Sequence, residues 1–378
     1  MTEVGDKGIV FAAGSEYSQF TPANPPIVGD KVILYNLGNG QRLAVPTLAF
    51  GLDSFTFVCP SFQFAGFDWK LDWNFQLIPL PTKSWVQQTA GAEWAGRYGH
   101  GCVALSDGSI VLMGGLEQND VWHSLDKGIT WHQHTTGSPW WSGRSGVKSV
   151  VLSDDSIILV GGTFTQDVWK STDAGESWTQ QTATAGWSVR YQHSVCVMTD
   201  GSIVLTGGRY DTAKNDVWRS TDNGANWSLR NGGADWAGRS YHMTIGMPDG
   251  SIILIGGLNI GTVPFKDVWH SLDNGINWHQ HTVVTAEFPT IYGSSIVIIP
   301  PNTIALIGGG IVSLTSGKVW ISTDYGINWT VHPATTAWAP GDTQRVYPAT
   351  VILPDDTLVL TGGYDNLLGA KNDVWRYP

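Results

Sequence analysis

Apolar residues in this chain gather in short runs bounded by turn-forming residues, and the runs recur. Ser109–Met113 (SIVLM) is an unbroken Ile/Val/Leu run that ends on a Gly-Gly pair. A run that short and continuous predicts a strand covered on both faces. The same punctuation appears six times, at Gly114-Gly115, Gly161-Gly162, Gly207-Gly208, Gly256-Gly257, Gly308-Gly309 and Gly362-Gly363. The first glycines lie 47, 46, 49, 52 and 54 residues apart. Each pair is followed by Val-Trp, at 121–122, 168–169, 217–218, 268–269, 319–320 and 374–375. After five of these comes Ser-x-Asp-x-Gly-x-x-Trp: Ser124–Trp131, Ser171–Trp178, Ser220–Trp227, Ser271–Trp278 and Ser322–Trp329.

One unit therefore predicts four strands: Arg97–Leu105, Ser109–Met113, Asp120–Ser124 and Ile129–His134. Four strands in about 50 residues is the period of a propeller blade. The last repeat stops inside its third strand, at Trp375-Arg376-Tyr377-Pro378. Ser84–Thr89 (SWVQQT) precedes the first full repeat and matches the fourth strand of the second, Ser177–Thr182 (SWTQQT). The expected fold is all-β: a six-bladed β-propeller over residues 84–378, closed by one N-terminal strand that removes the exposed sheet edges. Residues 1–83 carry no repeat and read as a small β module or arm. Within them Gly29–Pro46 predicts two strands joined at Gly38-Asn39-Gly40. Thr56–Val58 and Phe75–Ile78 are further strand candidates, Thr21–Pro26 an extended arm, and Ile78–Thr82 the boundary.

Arg-x-x-His, an apolar run, Gly-Gly and Asp-Val-Trp together resemble the kelch repeat. Ser-x-Asp-x-Gly-x-x-Trp resembles the Asp-box hairpin of sialidases and of many non-enzymatic propellers. The resemblance covers residues 84–378 and implies the fold far more than any activity. The fifth repeat departs from it, with Ile291 in the place of Arg and Lys318 in the place of Asp. The hairpin aspartates Asp126, Asp173, Asp222, Asp273 and Asp324 are read as turn-formers: an Asp carboxylate accepts from backbone N–H groups two residues on, and the Gly supplies positive φ.

Composition agrees with short strands and tight turns. Gly is 46 of 378 residues, Trp 20, and charged residues only 14%, against roughly 25% in ordinary soluble domains. With 21 Lys+Arg against 32 Asp+Glu and a net charge of −11, a nucleic-acid partner is not expected. No apolar stretch reaches membrane-spanning length, and the N-terminus lacks the pattern of a secretory signal. Cys59, Cys102 and Cys196 are too few for a disulfide framework and are expected as small buried hydrophobes.

Most acids sit in repeat turns. The propeller keeps eight others: Glu93, Glu117, Glu176, Glu287, Asp211, Asp235, Asp342 and Asp365. Most fall in the loops joining strand four to strand one or strand two to strand three, which open on a single face. Loops of varying length on a rigid frame are where binding concentrates, so that face is the candidate surface. It also carries paired aromatic and cationic residues: Trp94/Arg97, Trp141/Arg144, Trp187/Arg190, Trp236/Arg239 and the longer-spaced Trp338/Arg345, with Phe288 taking the Trp place in blade five. Indole faces and guanidinium forks suit sugar rings and carboxylates, which makes these ten residues ligand-binding candidates. The competing reading is architectural: Trp fills the blade junction and Arg bonds loop carbonyls.

His100, His193 and His242 share one repeat position near Tyr98, Tyr191 and Tyr241. They are expected as satisfied core residues in preference to metal ligands, and no cofactor or metal is expected. His123, His132, His134 and their counterparts His270, His279, His281 lie on outer strands in two nearly identical blades, one and four, expected in solvent.

The leading expectation is a non-catalytic recognition propeller that binds glycan or protein at its loop face, at a cell or virion surface as in a phage tail fibre. Residues 1–83 would then anchor it in a homo-oligomer or larger assembly. The alternatives are an Asp-box glycoside hydrolase, for which Arg97, Arg144, Arg190, Arg239 and Arg345 supply arginines, and a cytoplasmic kelch-like adaptor.

Overall fold

The computed structural model describes residues 84–134, 140–283, 288–310, 318–332, 338 and 345–378, and within residues 1–83 the backbone of six short strands. The chain divides into two units, Met1–Lys83 and Ser84–Pro378.

In the first unit, Val32–Tyr35 and Arg42–Val45 form the hairpin expected around Gly38-Asn39-Gly40, with Val32 opposite Val45 and Tyr35 opposite Arg42. Val10–Ala12 adds to it in parallel, a pairing no local signal announces. A second sheet joins Phe62–Phe64, Phe67–Leu71 and Leu77–Pro79 in antiparallel order. The strand expected at Phe75–Ile78 thus falls at Leu77–Pro79 and overlaps the expected boundary. Thr56–Val58 and Thr21–Pro26 lie outside the described residues.

The second unit is a β-propeller of six four-stranded antiparallel sheets. The inner strands are Gly101–Ala104, Lys148–Val151, Ser194–Val197, Met243–Gly246, Ser295–Ile299 and Ala349–Ile352. Each neighbours the next, and the last neighbours the first, so the sheets form a closed circle. The sixth sheet runs Ala349–Ile352, Leu358–Thr361, Val374–Tyr377, Val86–Thr89. Its outermost strand is the expected N-terminal one, with Trp375 opposite Gln87. Trp85 is buried beside it, against Trp338 at 6.0 Å and Tyr377 at 5.6 Å between ring centroids.

The second strands are continuous Ile/Val/Leu runs because both their faces are covered by neighbouring blades. Ile110–Met113, Ile157–Val160, Ile203–Thr206 and Ile252–Ile255 are buried along their whole length. Each fully buried aliphatic side chain of this size contributes about 1.5–3 kcal/mol. The core is accordingly six inter-blade clusters and not one central mass.

Two strand boundaries differ from expectation. The first strand of blade one begins at Gly101, because Arg97–His100 are drawn into a turn in which Gly99 takes φ 63°. The fourth begins at His132, because the hairpin turn extends to Trp131. In that turn the Asp126 carboxylate accepts from Ile129 N and Thr130 N, three and four residues on, and not from two on as expected. Ser124 Oγ accepts from Gly128 N and donates to Asp126. The same lock recurs at Asp173, Asp222, Asp273 and Asp324.

Candidate functional site

The ten Trp and Arg candidates are interior. Trp94, Trp141, Trp187, Trp236 and Trp338 are at most 4% exposed, and Arg97, Arg144, Arg190, Arg239 and Arg345 at most 2%. Each tryptophan meets another edge to face: Trp94 with Trp131, Trp141 with Trp178, Trp187 with Trp227, Trp236 with Trp278 and Trp338 with Trp85. Each guanidinium forks onto the Asp before Val-Trp: Arg97 onto Asp120, Arg144 onto Asp167, Arg190 onto Asp216, Arg239 onto Asp267 and Arg345 onto Asp373, at 2.5–3.1 Å. The arginine also donates to the carbonyl of the first glycine of its Gly-Gly pair, and the Val-Trp indole N–H donates to the same Asp. With both fork arms occupied and the indoles covered, these side chains lock the loops of five blades and offer a ligand no surface. Burial alone would raise the Asp120, Asp167 and Asp216 carboxyls, but their Arg partners hold them below the ordinary Asp value.

The non-repeat acids are scattered. Asp365 is buried and accepts from Leu367 N and Leu368 N. Glu117 accepts from the Thr163 hydroxyl, and Asp211 pairs with Lys214 in solvent. Glu93 and Asp235 are exposed, as is Glu176. Glu287 and Asp342 lie outside the described residues.

What the loop face does assemble is an axial cup. The residue two after each Arg, or after its replacement Ile291, is Gly99, Gly146, Gln192, Tyr241, Gly293 and Tyr347, and all six have φ between 56° and 63°. Their backbones close a ring. Gly99 N donates to Tyr347 O at 3.4 Å, Gly146 N to Gly99 O at 2.9 Å, Gln192 N to Gly146 O at 3.2 Å, Tyr241 N to Gln192 O at 3.0 Å, Gly293 N to Tyr241 O at 2.8 Å and Tyr347 N to Gly293 O at 2.7 Å. Six hydrogen bonds thus encircle the propeller axis where the inner strands begin.

Tyrosines gather around this ring. Tyr241 and Tyr347 lie 4.6 Å apart between ring centroids, and Tyr292 is 6.5 and 6.4 Å from them. Tyr98 touches Tyr347 at 6.0 Å and Tyr364 at 5.4 Å. The Arg209 guanidinium sits over Tyr191 at 5.6 Å and over Tyr241 at 5.5 Å, and it makes no ion pair with any described acid. Gln192 donates to the Tyr241 hydroxyl. Burial raises the Tyr241 and Tyr347 phenols above their ordinary value, so both stay neutral as hydrogen-bonding and stacking surfaces. The strand-two-to-three loops surround the cup with exposed apolar side chains: Phe164 and Tyr210 (in contact at 5.9 Å), Ile260, Val263, Leu367 and Leu368.

Sequence pattern pointed to Tyr98, Tyr191 and Tyr241 only as neighbours of histidines. Tyr292, Tyr347, Tyr364, Gln192 and Arg209 went unmarked. The available signal was the alternation of glycine with large residues at one repeat position.

The histidines at the next position are interior. His100 Nε2 bonds Thr361 Oγ1, and His242 Nε2 bonds Thr206 Oγ1. Burial, and then the neighbouring Arg97 and Arg190, lower His100 and His193 to about 3. Among the described residues no group of three or more His, Cys, Asp or Glu is arranged to hold a metal. On the outer strands, His132 and His279 are exposed as expected. His123 and His134 instead face each other at 5.4 Å, and His270 and His281 at 5.0 Å, half-buried where the next blade packs. Cys102 and Cys196 are free thiols that burial pushes up to about 12.

Comparison with known proteins adds the fold. The solved structure titled "Structure of YjhT" superposes with a TM-score of 0.60 at 14% identity, over 76% of this chain and 96% of that one. No protein-family model matches the chain, and no curated protein does.

Proposed function

We propose that the propeller is a non-catalytic recognition module whose ligand seats in the axial cup of the loop face. The observation that carries this reading is the strain at the ring. Glycine meets its left-handed geometry without penalty at Gly99, Gly146 and Gly293, yet Gln192, Tyr241 and Tyr347 adopt it at a cost of about 1–2 kcal/mol each. Large side chains kept where glycine would serve the fold better are there for what they present at the axis. They present clustered, neutral tyrosine rings, tilted against one another, beside one guanidinium without an ion-pair partner, a surface suited to sugar rings. The apolar rim favours a glycan carried on a macromolecule over a free small sugar.

In the same reading the repeats are kelch-like, with Asp-box hairpins on their outer edges. Display at a cell or virion surface, with residues 1–83 as the anchor of a larger assembly, fits the low charge and the Trp-rich frame. A cytoplasmic adaptor would use the same face.

The test is a glycan array followed by calorimetry with Tyr241→Gly and Tyr347→Gly. Glycine suits the backbone there, so both variants should fold as the parent does and lose at least about tenfold in affinity, the loss of roughly one stacked aromatic contact. Unchanged binding in both variants overturns the cup as the site. Turnover of a glycoside by the parent chain would move the protein to the hydrolase reading.

A further inference from the structure

The axial cup contains one group that the blade repeat does not call for. The residues that follow the six Gly-Gly pairs are Leu116, Thr163, Arg209, Leu258, Gly310 and Tyr364. Their backbones pair with the residues just before the ring positions: Arg209 with Tyr191, Leu258 with Ser240, Gly310 with Tyr292 and Tyr364 with Val346. Five blades build this place with a neutral residue, so the fold itself has no need of a cation there.

Arg209 is fixed by its main chain and by aromatic rings. Its N–H donates to Tyr191 O at 3.1 Å, and Tyr191 N donates to Arg209 O at 3.0 Å. Its guanidinium carbon lies over the Tyr191 and Tyr241 rings, and Gln192 holds Tyr241 by its hydroxyl. No protein group meets the charge. Among the described residues the side chain makes no hydrogen bond and no ion pair. Its Nε is sealed from solvent without a partner, while the two terminal nitrogens, also without partners, stay open to it.

This is not for want of acids, since the chain has 32 Asp+Glu against 21 Lys+Arg. Seven of the propeller's nine arginines face an aspartate. Of the other two, Arg230 lies on the outer strand Ser228–Asn231, and Arg209 stands in the cup. Asp211, two residues from Arg209, pairs with Lys214 instead. A half-desolvated cation without a counter-charge is costly until a ligand supplies one. Two open N–H arms on one rigid fork match an oxyanion that offers two oxygens.

We propose, on the reading of the cup as a glycan site, that its ligand is acidic: Arg209 receives a carboxylate or a sulfate ester while the tyrosine rings cover the sugar that carries it. Both groups present two oxygens to the fork, and that is the chemistry they share. The net charge of −11 opposes loose collection of anions, so recognition of one has to be local.

The experiment places the full chain on an array of neutral, uronate-bearing and sulfated glycans at low and high salt. The acidic arms should give the signals, which should fade as salt rises, and the arm that responds identifies the oxyanion. The best acidic glycan is then titrated by calorimetry beside its carboxyl-reduced or desulfated form, which should bind at least about tenfold more weakly. Arg209→Leu copies blades one and four, so its thermal midpoint should match the parent's. It should lose at least about tenfold in affinity for the acidic form and bind both forms alike. Tyr241→Gly should weaken both forms. Equal affinity of the parent for the two forms, or an acidic preference that survives in Arg209→Leu, overturns the acidic ligand, and a loss in Tyr241→Gly in the same titrations leaves the cup standing as the site. No binding of the parent to any arm overturns the cup and the acidic ligand together. Should Arg209→Leu fail to fold, Arg209→Gln decides by the same criteria.

Discussion

At the scale of single residues, a lock made of one Arg, one Asp and one indole N–H recurs in five of the six blades. Blade five shows what happens when the lock is given up. There the Arg becomes Ile291, 1% exposed, the Asp becomes Lys318, which is exposed, and Phe288 stacks on Trp329 at 4.6 Å. The buried pair is given up as a whole, the Lys318 charge lying at the surface, and an apolar cluster with Trp320 takes its place. This is the trade expected of a buried ion pair: replacing both partners is tolerated, whereas removing one strands a charge. Arg190→Ile alone should therefore cost about 3–5 kcal/mol, because the Asp216 carboxylate loses its buried guanidinium partner and keeps only the half-buried Trp218 indole N–H. Adding Asp216→Lys, after the fashion of blade five, should recover more than half of that loss. Chemical denaturation of both variants checks it, and losses that simply add would show the two residues to be uncoupled.

At the scale of elements, the repeat made strands and hairpins legible. Gly-Gly ends the second strand, Val-Trp marks the third, and Ser-x-Asp-x-Gly marks the hairpin before the fourth. What the pattern left obscure was which groups pair. Arg97 and Asp120 stand 23 residues apart in sequence with two strands between them, and only the fold brings the fork onto the carboxylate. The hairpin glycine has two separable duties, conformation and clearance. Gly175 takes φ 89°, and a Cβ there would lie 3.0 Å from Cγ1 of both Val111 and Val121 in blade one. Gly201 takes φ 80° in a turn where nothing lies within 4 Å. Gly201→Ala should thus cost about 1–2 kcal/mol from backbone strain alone. Gly175→Ala should cost about 1–3 kcal/mol more, from pressing blade two against blade one. Equal midpoint losses in urea would show that the hairpins do not clamp neighbouring blades.

At the scale of the whole molecule, the blade count and the closing strand were readable because both are periodic. The site was not, because it consists of departures from the period that only circular closure brings together. Gly99 and Tyr347 bond across the junction between the first and last blades, and nothing local to either residue foretells it. Closure is thus a condition for the axial cup as well as for stability. Val86–Thr89 supplies the outer strand of the sixth sheet, and Trp85 fills the space between Trp338 and Tyr377. A chain beginning at Gly91 should leave the Val374–Tyr377 strand as a bare edge, unfold at least about 10 °C lower and self-associate. Replacing Tyr377-Pro378 in that shortened chain with a copy of Ser171–Thr182 supplies a hairpin and a fourth strand from the C-terminal side. It should restore the midpoint and the monomeric state, measured by calorimetry and light scattering. If the shortened chain already matches its parent in both, the N-terminal strand is not what seals the circle.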